Sequence, residues 1–215
     1  MTEADARAGP TVRVTAVQTG SIRIRPAHRA GRMDRPAWRR RLAILRDRDW
    51  TESLPIHTYL VEHPEGLFLF DAGETARTAT RGFLPWWWPA WFEPDRISVD
   101  GPAVGPWPRS HPVTEDGRIV AVETPGHMPG HLSLIVSAAG TTYLLAGDAT
   151  YDQGLARAEI VDGAQEDVAA GVRTLRTIKE FARQRPVVLL PAHDPLAVER
   201  LARRTPFDPD GDAAG

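Results

Sequence analysis

The sequence predicts an α/β protein built as a layered sandwich, and three observations carry that expectation. Its first half offers paired strands joined by a turn, and its second half offers strands with a long amphipathic helix between them. In addition, three apolar strands each run straight into a loop that begins with a histidine or an aspartate beside glycine or proline. With 215 residues the chain is long enough for one domain with a real core and short for two.

Taken in order, Val12 to Gln18 alternates as a strand does. Pro36 to Arg48 reads as a short basic amphipathic helix, with Trp38, Leu42 and Leu45 on one face and Arg39-Arg40-Arg41 as a solvated run. Ile56 to Glu62 and Leu67 to Phe70 flank His63-Pro64-Glu65-Gly66, which makes a hairpin ending at Asp71. From Thr80 to Pro112 neither period holds, prolines exclude a long helix, and all but two of the seven tryptophans (Trp86, Trp87, Trp88, Trp91, Trp107) collect there. That cluster reads as packing or a homodimer contact ahead of a wall for an acyl chain.

Order then returns. Ile119 to Glu123, Leu132 to Val136 and Thr142 to Leu145 read as strands. Gln165 to Arg183 is a helix with Val168, Val172, Leu175, Ile178 and Phe181 on one stripe. Val187 to Leu190 is a continuous apolar strand, expected to be buried on both faces. Residues 12–203 are expected to form a single domain, with disordered tails at 1–11 and 204–215 that are rich in Ala, Gly, Pro and Asp.

Composition narrows the function. The net charge of -2 gives no basis for a nucleic-acid partner held by bulk charge. No stretch approaches the ~20 apolar residues of a membrane helix, and the acidic first ten residues do not read as a secretory signal, so a cytoplasmic location is expected. The chain has no cysteine, which excludes disulfides, thiolate metal sites and cysteine nucleophiles. Any transition-metal site must use His with Asp or Glu, which suits zinc, iron or manganese.

The three strand-to-loop segments are Val122-Glu123-Thr124-Pro125-Gly126-His127, Leu144-Leu145-Ala146-Gly147-Asp148 and Leu189-Leu190-Pro191-Ala192-His193. Ligands placed at rigid strand ends can converge on one cleft, and the adjacent glycine or proline lets the backbone turn sharply. His127, Asp148 and His193 are therefore candidate metal ligands. His131, four residues beyond His127 in a loop-to-strand context, reads as a residue that packs against the site or supports a ligand from behind. Asp152 and Glu123 are weaker candidates for site carboxylates.

On these residues the sequence resembles the metallo-β-lactamase superfamily. The matching pieces are Asp71-Ala72-Gly73, Thr124-Pro125-Gly126-His127-Met128-Pro129-Gly130-His131, Gly147-Asp148-Ala149 and Pro191-Ala192-His193-Asp194. Tyr151, three residues beyond Asp148, resembles the tyrosine of the N-acyl homoserine lactonase branch. The resemblance implies an αββα sandwich with a two-metal site in which His127 serves one metal, His193 the other, and Asp148 bridges them. Asp71 would orient ligands from behind, and Tyr151 would hydrogen-bond the substrate carbonyl or the developing alkoxide. The implied chemistry is metal-hydroxide attack on a lactone or ester, with zinc or another divalent ion.

One part of the family pattern is missing. The His-x-His-x-Asp-His signature belongs between Asp71 and His127, where His111 is the sole histidine. The interval is also too short for the family's helix, strand and ligand loop, which places an internal deletion near residues 81–91. The expectation is at most one loosely bound metal. The functions that follow are a lactone or ester hydrolase with activity in doubt, a non-catalytic degenerate relative that binds a ligand or partner, or, with less support, a thioester hydrolase.

Overall fold

The computed structural model describes residues 11–71, 99–128 and 130–211. A three-stranded antiparallel sheet comes first: β1 (Arg13–Ile22), β2 (Leu54–His63) and β3 (Gly66–Phe70), in that spatial order. Two helices, α1 (Pro26–Arg29) and α2 (Ala37–Arg46), lie in the connection from β1 to β2. The second sheet has five strands in chain order: β4 (His111–Pro112), β5 (Ile119–Glu123), β6 (Leu132–Ala138), β7 (Thr141–Gly147) and β8 (Val187–Pro191). Helices α3 (Gln153–Ala158) and α4 (Val168–Gln184) form the crossover from β7 to β8, and α5 (Ala197–Arg203) follows. This is the two-sheet α/β sandwich that the sequence predicts.

Successive side chains of a strand point to opposite faces, and the second sheet uses both. Val122, Ile135, Leu144, Ala146, Val187 and Leu189 pack with Leu175, Ile178 and Phe181 of α4. Ile119, Val136, Tyr143, Leu145, Val188 and Leu190 pack instead against Tyr59 and Val61 of the first sheet. All five residues of β8 are buried, as expected of a strand covered on both sides. Helix α4 starts at Val168, the first residue of its apolar stripe and later than the expected Gln165, because the Asp167 carboxylate accepts from the Ala170 N–H at 2.9 Å and fixes the cap there.

Strand direction positions the site. β5 is antiparallel to β6 and β6 to β7, so β5 and β7 run the same way, and β8 is parallel to β7. The carboxyl ends of β5, β7 and β8 therefore open on one edge of the sheet. The loops that carry His127, Asp148 and His193 leave from that edge.

Two expectations are corrected. The apolar face expected on α2 points outward, with Trp38 61% and Leu45 82% exposed. The buried residue is Arg40, at 6%, whose guanidinium donates to the Gln165 carbonyl at 2.6 Å and the Arg35 carbonyl at 3.1 Å. A hydrogen-bonded guanidinium thus anchors the helix, so the middle of the basic run is not solvated. The segment after residue 203 is also not a free tail as far as Asp210. Phe207 is buried in the core, its N–H donates to the Val187 carbonyl at 2.7 Å, and Arg183 pairs with Asp210.

The residues expected at the deletion join (81–91), tryptophans 86, 87, 88 and 91, and the first ten residues lie outside the described residues. Trp107 is a packing residue, edge-on to Phe181 at 5.1 Å and donating to the Glu123 carbonyl. No helix among the described residues is long and apolar enough to cross a membrane.

Candidate metal centre

Each of the three loops is fixed by its own sequence. Gly126 has φ of +145°, and a Cβ there would meet the Gly171 Cα at 2.4 Å, so the chain can pass α4 and deliver His127 only with glycine. Gly147 has φ of +54° and turns the end of β7 so that Asp148 enters the cleft. The loop after β8 is held between the sheets: the His57 N–H donates to the Ala192 carbonyl at 2.9 Å, and the Ala192 N–H to the Gly147 carbonyl at 3.3 Å.

The structure brings His127, Asp148 and His193 together. The Nδ1 of His193 lies 2.9 Å from the Pro55 carbonyl, which can only accept, so that nitrogen carries a proton and Nε2 faces the cleft. The Nδ1 of His127 likewise faces a carboxylate, Asp162 Oδ2, at 3.0 Å. Both Nε2 atoms then address Asp148, but at different oxygens: His193 at 3.1 Å from Oδ1 and His127 at 3.7 Å from Oδ2. The His193 approach lies outside hydrogen-bond geometry, which leaves Asp148 Oδ1 buried without a hydrogen-bond partner.

The electrostatics follow from this clustering. Burial alone would lower the pKa of both histidines, but His127 is raised by its bond to Asp162 and by the Asp148 charge. His193 is raised by Asp148, the Pro55 carbonyl and the more distant Asp71. Burial pushes Asp148 up, yet the His193 imidazole, with His127 and His131 behind it, brings it below the ordinary aspartate range. His131, half-buried against Thr124 with Nδ1 2.8 Å from the Thr124 hydroxyl, is pushed down by desolvation, partly offset by Asp148. Its ring centroid stands 6.4 Å from that of His127.

Tyr151 is 7% exposed, and its ring packs edge-on to His193 at 5.1 Å and to His127 at 6.3 Å. Burial raises its pKa, with the Asp162 and Asp148 charges adding to the effect, so it remains a phenol and a hydrogen-bond donor. Asp71 closes β3 with φ of +57°, its carbonyl held by the Thr58 hydroxyl at 2.5 Å, and its charge is felt at His193. The weaker candidates have structural roles. Asp152 caps α3 through the Leu155 N–H and pairs with Arg29, and Glu123 is exposed at the end of β5.

Sequence reasoning missed two residues. Asp162, 5% exposed, is the carboxylate behind His127, and His28 reaches the Tyr151 hydroxyl with Nε2 at 3.4 Å. Asp162-Gly163 resembles an ordinary turn pair, and His28 lies far upstream in a polar stretch, so neither carries a local signal.

Two imidazole nitrogens and a carboxylate with an unsatisfied buried oxygen suit a divalent ion of the zinc kind. The donors fit in type. In number, each Asp148 oxygen has one imidazole, where a catalytic zinc ordinarily takes three protein ligands. All seven histidines are among the described residues, so residues 72–98 hold no hidden ones.

A tighter group of three potential ligands among the described residues is His63, Glu65 and Asp116. There the His63 Nδ1 accepts from the Glu65 N–H, and Asp116 already binds His63 Nε2, Thr114 and Arg118. These bonds explain it as a latch between the β2–β3 turn and the loop before β5.

Solved structures share this architecture. One is an N-acyl homoserine lactone hydrolase with N-hexanoyl-L-homoserine bound at its catalytic metal centre: TM-score 0.61, 18% identity, 86% of this chain and 95% of that one. A second is a B. thuringiensis enzyme with N-decanoyl-L-homoserine at its active site: TM-score 0.61, 17% identity, 86% and 95%. A third is a probable metal-dependent hydrolase from Staphylococcus aureus: TM-score 0.59, 13% identity, 86% and 90%. At such identities the likeness is one of fold. No protein of curated function matches the chain. A family profile does, over residues 80–193, which takes in the loops of His127, Asp148 and His193: the chain belongs to the metallo-beta-lactamase superfamily.

Proposed function

We propose that this protein is a metal-dependent hydrolase that opens a lactone or ester, working on one divalent ion, zinc by preference, held loosely at Asp148. The observation that carries this reading is the opposed approach of His127 and His193 to the two Asp148 oxygens, with the Tyr151 ring against both imidazoles.

A divalent ion bound there supplies Lewis acidity and lowers the pKa of a coordinated water. Asp162 and the Pro55 carbonyl hold the Nδ1 protons of His127 and His193, which directs both Nε2 lone pairs at the cleft. Asp148 presents a carboxylate whose buried oxygen has no competing hydrogen bond. Tyr151, kept as a phenol by burial, donates to the substrate oxygen on which negative charge develops. Acyl homoserine lactones are the first substrates to assay, since structures of similar fold carry their ring-opened products.

A second reading, a non-catalytic relative that binds a ligand, is favoured by the missing His-x-His-x-Asp-His segment. Assays on acyl homoserine lactones and simple esters with added zinc or cobalt, run beside Asp148→Asn, separate the two. Metal-dependent turnover that Asp148→Asn abolishes is expected. Absence of turnover at every metal loading would favour the second reading.

A further inference from the structure

His28 has no counterpart in the sequence pattern that defines the site, yet two consecutive residues of α1 meet two consecutive residues before α3. His28 Nε2 lies 3.4 Å from the Tyr151 hydroxyl, and the neighbouring Arg29 donates to Asp152 Oδ2 at 2.9 Å. The backbone fixes this pairing. The Gly163 N–H donates to the His28 carbonyl at 2.6 Å, the Gly31 N–H to the Val161 carbonyl at 2.8 Å, and the Ala27 N–H to Asp47 Oδ2 at 2.9 Å. A Cβ on Gly163 would fall 1.9 Å from the Ala27 carbonyl oxygen, so glycine is required for α1 to approach so closely. Between those anchors sits Asp162, the partner of His127. One short contact thus sets both the imidazole beside Tyr151 and the carboxylate behind His127.

The placement favours a role through Tyr151 over a role as metal ligand. The His28 Nε2 already addresses the phenol, and the neighbouring Arg29–Asp152 pair holds α1 against that residue rather than against Asp148. A phenol has one proton and can also accept. If the imidazole donates to the phenol oxygen, the phenol proton stays free for a substrate, and a phenol that accepts one hydrogen bond donates a stronger one.

The geometry points to His28 as a positioning residue: its Nε2–H donates to the Tyr151 oxygen and leaves the Tyr151 proton aimed into the cleft. The inference rests on the hydrolase reading for its kinetic consequence, but the hydrogen bond itself is testable without turnover. Long-range proton–nitrogen spectra of the histidine rings in the full chain should show His28 as the Nε2–H tautomer, with a resonance that moves in Tyr151→Phe. An Nδ1–H tautomer, or a His28 resonance indifferent to Tyr151→Phe, overturns the proposal.

In the hydrolysis assay His28→Ala should lower kcat about tenfold with KM changed less than about twofold, the size of one lost hydrogen bond at the reacting oxygen. His28→Gln, which keeps a donor at the same reach, should restore most of the rate. In the Tyr151→Phe background His28→Ala should cost nothing further, and additive losses would overturn the coupling. If the wild-type chain turns over no substrate, the hydrolase reading fails and the pair is decided by the spectra alone.

Discussion

Asp162 holds His127 from behind: its Oδ2 stands 3.0 Å from the His127 Nδ1, while the His127 Nε2 faces Asp148. The pair orients a potential ligand without occupying the cleft. The buried Gln165 strengthens it. With its amide oxygen toward the His127 backbone N–H, at 2.9 Å, its nitrogen donates to Asp162. The Gln165 carbonyl is in turn held by the buried Arg40.

Asp162→Asn should therefore weaken divalent-metal binding by about 10–100-fold, the usual cost of losing a carboxylate behind a ligating histidine. The thermal midpoint of the metal-free protein should fall far less. Calorimetric titration with zinc or cobalt measures the first effect and a thermal melt the second; unchanged affinity would remove Asp162 from the site.

After dialysis the protein should retain at most one equivalent of zinc, and that weakly, because each Asp148 oxygen meets a single imidazole. His127→Ala and His193→Ala should each lower retention further. Two tightly held equivalents, found by elemental analysis, would show that other residues complete the site.

Gly126→Ala should destabilise the fold and disturb the His127 loop together. A side chain at φ of +145° costs about 1–3 kcal/mol in backbone strain. The contact at 2.4 Å with the Gly171 Cα, which is backbone and cannot swing away, adds about 1–3 kcal/mol of overpacking. Urea denaturation would register the sum as a lower midpoint with an unchanged slope.

The His63–Asp116 latch should give acid-sensitive stability. Burial acts to raise the Asp116 pKa, but the Arg118 N–H and guanidinium, the Thr114 hydroxyl and His63 together hold it well below the ordinary carboxylate range. A depressed folded-state pKa contributes stability that is present above the unfolded value and lost as pH falls through the folded one. Asp116→Asn should therefore lower the denaturation midpoint at pH 7 and make it less steeply dependent on pH below about 4. A parallel acid limb in wild type and variant would exclude the latch as its source.

Much of the fold was legible because it is written in local periods. The hairpin around Pro64-Glu65-Gly66 and the continuous apolar run from Val187 to Leu190 in β8 need no distant information, since turn chemistry and local hydrophobic pattern specify them. The apolar stripe of α2 misled because periodicity says which residues share a face and not where the face points. Here Arg40, bonded to the Gln165 carbonyl, turned it outward. Phe207 was misplaced for a related reason: a Pro- and Asp-rich setting suggested a tail, whereas its docking depends on the Val187 backbone and the end of α4.

By itself the sequence determined the sandwich and the three loops that bear His127, Asp148 and His193, since each loop follows its strand directly and glycine or proline marks each turn. Tertiary structure alone decided what surrounds them. Asp162 meets His127 across 35 positions and His28 meets Tyr151 across 123, separations over which no periodicity or motif carries information. Such contacts exist because the parallel strands β5, β7 and β8 open on one edge and the close passage of α1 along Gly163 brings an upstream helix to it.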